Sequence, residues 1–330
     1  MRLQRRTLLR AALGIAVSVA AIAVLLSSVD IGRTLQVLGG ASPAWIVLML
    51  ATTTADVAAR AARWRWLLAP IARIPFRRVI GYTYIGYLAN NILPARLGEL
   101  VRSHVLGERE GLSRPTVLGT VVVERISDTA LVVLIASVAL GALSVGGVVT
   151  GAVRLGAVFA VVLVIGLAVL VAAHRLPGAT RVTHLIERWP RLADLGRRLR
   201  AGLAIAGRPA TIGGAVAFGI LAWAASIATF AAAGRAVGIE LTVAQAALLC
   251  SGVALATIVP SGPGYLGTFE LTAVGIAGTF GIGRDEAFAM ALLVHASILA
   301  ITSAGGVIAF VRLGLGSPAT GERGAAAPSP

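Results

Sequence analysis

The sequence predicts an all-α fold: a polytopic transmembrane helical bundle with two inverted-topology repeats and interrupted, re-entrant helices. Three observations predict it. The 330 residues are 57% hydrophobic and 13% charged, with a mean hydropathy of +0.89, whereas an ordinary soluble domain is about a quarter charged. Apolar stretches of about 20 residues, the length that crosses a bilayer, recur along the chain with Gly and Ala inside them, as membrane helices tolerate. The basic residues are all Arg, 29 of them, and gather in short segments between those stretches. That is the positive-inside pattern, not a nucleic-acid footprint, so the net charge of +15 points to an anionic inner-leaflet surface and away from nucleic acid. Lone Cys250 rules out an intramolecular disulfide and reads as packing.

MRLQRRTLLR carries four Arg before an apolar run from Ala11 to Val29. No A-x-A pattern closes the run and more spans follow, so it reads as a retained first helix with a cytoplasmic amino terminus rather than a cleaved signal peptide. A second span covers Ala44 to Leu68 and ends in RAARWRWLLAPIARIPFRR, where Arg60, Arg63, Arg65, Arg73, Arg77 and Arg78 mark a cytoplasmic end and Trp64 and Trp66 suit a headgroup belt. Val79 to Leu93 is too short to cross comfortably and stops at NNILPARLGEL. With a short helix resuming at Leu97, it reads as a re-entrant hairpin. Thr116 to Val149 and Val153 to Ala173 form an out-and-back pair.

The polar segment from His174 to Arg208 carries apolar residues at three- and four-residue spacing, including Leu195, Leu199 and Leu203. It reads as basic amphipathic helices on the cytoplasmic leaflet, with a flexible linker as the alternative. Thr211 to Val237 spans outward, Thr242 to Val259 runs to the break VPSGPGYLGTFE, a short helix follows to Phe280, and Glu286 to Val311 spans back. One transmembrane domain over residues 1–313 follows: repeat 1 at 44–173, the linker at 174–209 and repeat 2 at 210–313. Residues 314–330 have nothing to bury and are expected to be disordered. The repeat rests on IPFRRVIGYTYIGYLANNILP against ELTVAQAALLCSGVALATIVP, each ending at a proline, Pro94 and Pro260. Two related units of opposite orientation place a substrate site near the midplane, with the two breaks close together.

Ionisable groups at membrane depth are costly, so they mark either a buried ion network or a site. Glu124, Arg125 and Asp128 lie 8 to 12 residues into their helix, about 12 to 18 Å deep, and their expected neighbours are Arg96, Glu99 and Arg102. In the structural reading these ions pin helices together. In the functional one, Arg96, Arg125 and the N–H groups at Leu97 to Glu99 hold an anionic phosphate. Asp56 and Arg60, at i and i+4, read as a helix pair rather than a site. In the second repeat, the glycine-rich break at Gly264 and Glu270 leaves backbone groups for a ligand, and His295, at the position of Arg125, reads as a structural histidine or a proton handle. No nucleophile elbow, phosphate loop or metal-spaced Cys/His cluster occurs, so neither metal nor cofactor is expected and ATP is not hydrolysed by this chain.

NNILPARLGELVR (residues 90–102) with VVVERISD (121–128), PSGPGYLGTFE (260–270) and AFAMALLVHAS (287–297) resembles the transmembrane region of the lysylphosphatidylglycerol synthases and their stand-alone flippase-like relatives. The Arg placement puts both termini on the cytoplasmic side of an inner (plasma) membrane, and the resemblance implies a multi-pass membrane protein. It also implies a role in moving a phospholipid or lipid-linked head group between leaflets. In the full-length relatives a separate cytosolic domain makes the aminoacylated lipid; the chain ends after the membrane part, so no enzyme activity is expected of it. Relatives commonly carry Arg late in the chain where His295 stands. A lipid-linked sugar stays open as cargo, and a second copy of the chain or a cell-envelope enzyme as partner. The rival function is a scaffold that recruits such an enzyme through His174 to Arg208.

Overall fold

A computed structural model describes residues 2–93, 97–143, 201–257 and 261–315, with isolated positions between 147 and 165. Helices make up the regular structure among these residues, with no strand. They are α1 (Arg2–Leu26), α2 (Ile31–Gly39), α3 (Pro43–Leu68), α4 (Phe76–Ile92), α5 (Gly98–Arg109), α6 (Arg114–Ala142), α7 (Pro209–Ala236), α8 (Val243–Ala256), α9 (Thr268–Gly278) and α10 (Arg284–Arg312). Short 3-10 turns lie at Ala204–Gly207 and Pro263–Tyr265. Among the described residues the helices fall close to the expected segments, with one addition. Downstream of α1 the chain turns and forms α2, bent by 84° from the Gly14–Leu26 part of α1. Asp30 caps α2 by accepting the Arg33 N–H at 3.1 Å, an Asx cap of the kind that starts helices.

α3, α7 and α10 are each long and apolar enough to cross a membrane, and the bent α1–α2 pair passes the same test when taken together. α6 is 29 residues, about 43 Å at 1.5 Å per residue. That also exceeds the roughly 30 Å hydrocarbon thickness, although Glu124, Arg125 and Asp128 interrupt its apolar run. The chain is a multi-pass membrane helical protein.

The most extensive helix contact is α3 against α7. They run antiparallel: Ser42 N–H donates to the Ala236 carbonyl at 2.8 Å, Thr52 and Thr229 hydroxyls meet at 2.9 Å, and Trp66 lies over Gly214. α4 packs on α10, also antiparallel, with Gly305 and Gly306 beneath Tyr84 and Leu88 and with Asn91 donating to the Thr302 and Ser303 hydroxyls at 2.9 and 3.0 Å. α6 packs on α8, while α4–α5, α5–α6, α8–α9 and α9–α10 pack as chain neighbours. The main apolar core joins Met49, Trp223, Phe230, Leu248, Leu249, Phe269, Met290 and Val294.

Two irregular stretches interrupt these helices. Between α4 and α5 the chain turns back on itself, and the Gly98 N–H donates to the Asn90 amide oxygen at 2.8 Å. A Cβ on Gly98 would overlap the Gly86 carbonyl oxygen. Gly98→Ala is therefore expected to splay the hairpin and lower stability by about 1–3 kcal/mol, the usual range for overpacking; thermal melting of the purified protein checks it. Between α8 and α9, α1 covers the backbone: Ser18 accepts the Gly262 N–H at 2.9 Å, and Gly14 and Ser18 lie against Ser261 and Gly267. This cover suits hydrocarbon, where exposed irregular backbone would leave polar groups unsatisfied. Pro94, Arg96 and Pro260 lie outside the described residues, as do the span from Val153, most of the basic segment from His174 and the tail beyond Leu315. Their flanks do meet: Gly264 sits against the Asn91 carbonyl, and the 263–265 turn packs on α4.

Candidate functional site

The charged residues of α3, α5 and α6 form one network. Glu124 accepts from Arg102 at 3.1 Å and from Arg63 at 3.4 Å; Asp128 accepts from Arg63 at 2.9 Å and Arg60 at 3.1 Å, and Arg60 reaches Asp56 at 2.8 Å. Trp223 Nε1 adds a bond to Asp128 at 2.9 Å, and Trp64 Nε1 donates to Thr120 at 3.1 Å. Arg60 and Arg102 stack over Trp223 and Trp64, 5.0 and 4.5 Å from the ring centroids. Arg125 pairs with Glu99 at 3.1 Å. Four carboxylates thus face four guanidiniums, which keeps the buried charge balanced.

The expected joining of Glu99, Arg102, Glu124, Arg125 and Asp128 is found. Arg63 was assigned to the basic end of its span and Trp64 to a headgroup belt, and both assignments are corrected. Each is fully buried, because α6 brings its acids against that face of α3. The missed signal was spacing: Asp56, Arg60 and Arg63 stand at i, i+4 and i+7, one helical stripe. The Asp56–Arg60 pair holds as a helix pair but extends to Asp128 and lines the cavity described below. The Gly98 N–H, expected to face a phosphate, is taken by Asn90.

Exposure divides the network. The Arg63, Arg102 and Glu124 side chains are at most 6% exposed, whereas that of Arg125 is 44% exposed. Arg125 opens onto a cavity of about 320 Å³, within the usual size range of ligand pockets. Asp56, Arg60, Tyr87, Asn90, Glu99 and Asp128 line its polar wall, and Trp223, Phe230, Val253, Phe269 and Ile298 an apolar one.

Gly264 and His295 complete the lining from the other half of the chain. Both His295 nitrogens are engaged: Nδ1 lies 2.5 Å from a Glu270 carboxylate oxygen and Nε2 lies 2.7 Å from the Gly264 carbonyl. Phe269 stacks on the ring at 4.4 Å, and the second Glu270 oxygen accepts the Gly267 N–H at 2.8 Å. The backbone groups expected to be free at this break are therefore largely filled from within. Holding them requires positive φ at Gly264 and Gly267 and also at Tyr265, where φ is 59°. For an aromatic side chain that is a costly conformation, of the kind concentrated at functional sites. Among the described residues no cluster of His, Cys, Asp and Glu is arranged to hold a metal.

Apolar helices around a charge-balanced ion network, part of which lines a cavity, define a multi-pass membrane protein. The chain belongs to the family of lysylphosphatidylglycerol synthase transmembrane regions, whose model matches residues 11–306. It is also similar to Glycosyltransferase AglD of Haloferax volcanii, 26% identical over 347 residues covering 93% of this chain and 54% of that protein. The chain thus spans about half the length of the curated relative it matches.

Proposed function

We propose that the chain is a flippase-like transporter that passes a phospholipid or lipid-linked head group between leaflets through the cavity lined by Arg125. The observation that carries this reading is the cavity itself. A head group needs a polar path through hydrocarbon, and Arg125 and Glu99 supply an exposed, exchangeable ion pair beside apolar walls able to take acyl or polyprenyl chains. Arg125 would bind the phosphate, with Glu99 re-pairing when it leaves. Arg96 is expected to join from the first break, and Gly264, Glu270 and His295 to form the facing wall.

Alternating access suits two units of opposite orientation, α3–α6 and α7–α10. Exchanging one set for the other turns α4–α10 into α8–α6, α3–α6 into α7–α10, and α5–α6 into α9–α10, all of them packed pairs, and α3 and α7 are antiparallel. Glu99 in the first turn of α5 facing Arg125, and Glu270 in the first turn of α9 facing His295, are matching positions. The orientation we propose puts the ends bearing Arg65, Arg77, Arg109, Arg208 and Arg312 in the cytoplasm of a plasma membrane, with both termini there. A cysteine at Arg73 should then label only after the membrane is opened, and one at Gly238 from outside. Buried Cys250 should stay silent; the reverse pattern contradicts the orientation.

Purified protein in vesicles, carrying a head-group-labelled phospholipid in one leaflet, tests the function. The transporter reading expects faster exchange than in protein-free vesicles. A second reading, a membrane partner for a cell-envelope glycan enzyme, is favoured by the name of the AglD relative. It expects no acceleration but co-purification with such an enzyme.

A further inference from the structure

We propose that His295 and Glu270 form a proton-binding site that holds the second broken helix closed against α10, and that proton release opens this wall of the cavity. The inference rests on the transport reading for its consequence but not for the site. A carbonyl oxygen only accepts, so the Gly264 carbonyl at 2.7 Å requires a proton on Nε2. Nδ1 then faces a carboxylate oxygen at 2.5 Å, and two acceptors at that separation need a proton between them. The pair therefore binds one proton beyond a neutral imidazole and a carboxylate. It does so as imidazolium–carboxylate or as imidazole–carboxylic acid, and either form is neutral overall.

Losing that proton leaves a net negative charge on two side chains that are 4% and 6% exposed, which burial strongly disfavours. The relief available is separation of Glu270 from His295. Both hold the same irregular backbone, Glu270 through the Gly267 N–H and His295 through the Gly264 carbonyl. Separation thus releases the 262–267 stretch from α10, including the strained Tyr265. The titratable and charged groups lining the same cavity are Tyr265 on the turn, Asp56 and Arg60 on α3, Tyr87 on α4, Glu99 on α5, Arg125 and Asp128 on α6, and Cys250 on α8, while the α7 lining residues Trp223, Ser226, Thr229 and Phe230 carry no titratable group. α1 packs on α9 and brings Ser18 to Gly262, and α2 packs on α10 with Arg33 against Asp285 and Glu286 in its first turn. The acids among them have Arg partners, so the dyad is the exchangeable proton in the lining. The matching position in the other half, Arg125 with Glu99, carries a permanent charge. One wall is fixed and the other is switched by a proton.

The test reads the proton directly. Protein labelled with 15N-histidine in lipid bilayers, with His295→Gln assigning the signal, should show at neutral pH either a doubly protonated His295 ring or a neutral ring accompanied by a protonated-carboxyl C=O band lost in Glu270→Gln. In Glu270→Gln the ring should become singly protonated. A singly protonated ring beside an ionised Glu270 in the wild type overturns the site, whether or not the protein moves lipid. In vesicles, lipid exchange should change with pH in the wild type, while His295→Arg, which fixes the charge, should be pH-insensitive. Equal pH dependence in wild type and His295→Arg overturns the coupling. Absence of lipid exchange in the wild type counts against the transport reading and against the coupling, and leaves the proton count to decide the site.

Discussion

Asp128→Asn is expected to lose most of the folded protein. Asp128 receives Arg63 at 2.9 Å, Arg60 at 3.1 Å and Trp223 at 2.9 Å, so it is the acceptor on which α3, α6 and α7 converge. An amide oxygen at the Oδ1 position still accepts from Trp223 and Arg63, but the amide NH2 then faces the Arg60 guanidinium, and loss of the negative charge leaves buried Arg63 with the 3.4 Å ion pair to Glu124. Arg63 is fully buried, and its Nε has no partner even with Asp128 in place. Removing one member of a buried ion pair typically costs about 3 to 5 kcal/mol, a large fraction of a typical folding free energy. Size-exclusion yield and thermal melting in detergent check it. A melting temperature equal to wild type would mean that the network is not what holds these helices together.

Arg125→Gln is expected to behave in the opposite way, leaving the fold near wild type and abolishing most lipid movement. Its side chain is 44% exposed, and it makes one close ion pair, with Glu99, and a longer 3.8 Å approach to Asp128. This pair lines the cavity instead of the packed interior, so its loss is expected to cost the fold less than loss of Asp128. A charge-assisted bond to a phosphate is worth about 1.5–3 kcal/mol, and each 1.4 kcal/mol is about tenfold. Transport should therefore fall roughly 10- to 100-fold at equal folded protein. Arg125→Lys should rescue it only in part, since a point charge lacks the planar fork. Glu99→Gln should also melt near wild type while slowing the cycle. Unimpaired exchange in Arg125→Gln and Glu99→Gln would remove both residues from the site.

These contrasting outcomes could not have been separated in the sequence. VVVERISD announces charge at depth, and the helix period places Glu124 and Asp128 on one face, so the existence of a cluster was legible. Which Arg anchors it and which faces the cavity depends on α3 packing antiparallel to α6, a tertiary fact without a local signature. Arg63 looked like one more positive-inside residue because it stands among Arg60, Arg65 and Arg73. The starts of three long helices were legible to within two residues, Ala44, Thr211 and Glu286 against the observed Pro43, Pro209 and Arg284. α2 was missed because its nine residues fall short of the window over which a helical period is read, although Ile31, Leu35 and Leu38 stand at i, i+4 and i+7. The closing of the second break by His295 and Glu270 was half legible. Both residues were visible as buried ionisable groups, but their 2.5 Å contact requires α9 to fold back on α10.

The most direct measurement is the rate at which a head-group-labelled phospholipid becomes shielded from a membrane-impermeant quencher in vesicles. Wild type and Arg125→Gln should be compared at matched amounts of folded protein. The account predicts rapid exchange for wild type and a rate near that of protein-free vesicles for Arg125→Gln. Wild-type exchange no faster than protein-free vesicles, or equal exchange in the two proteins, would contradict it.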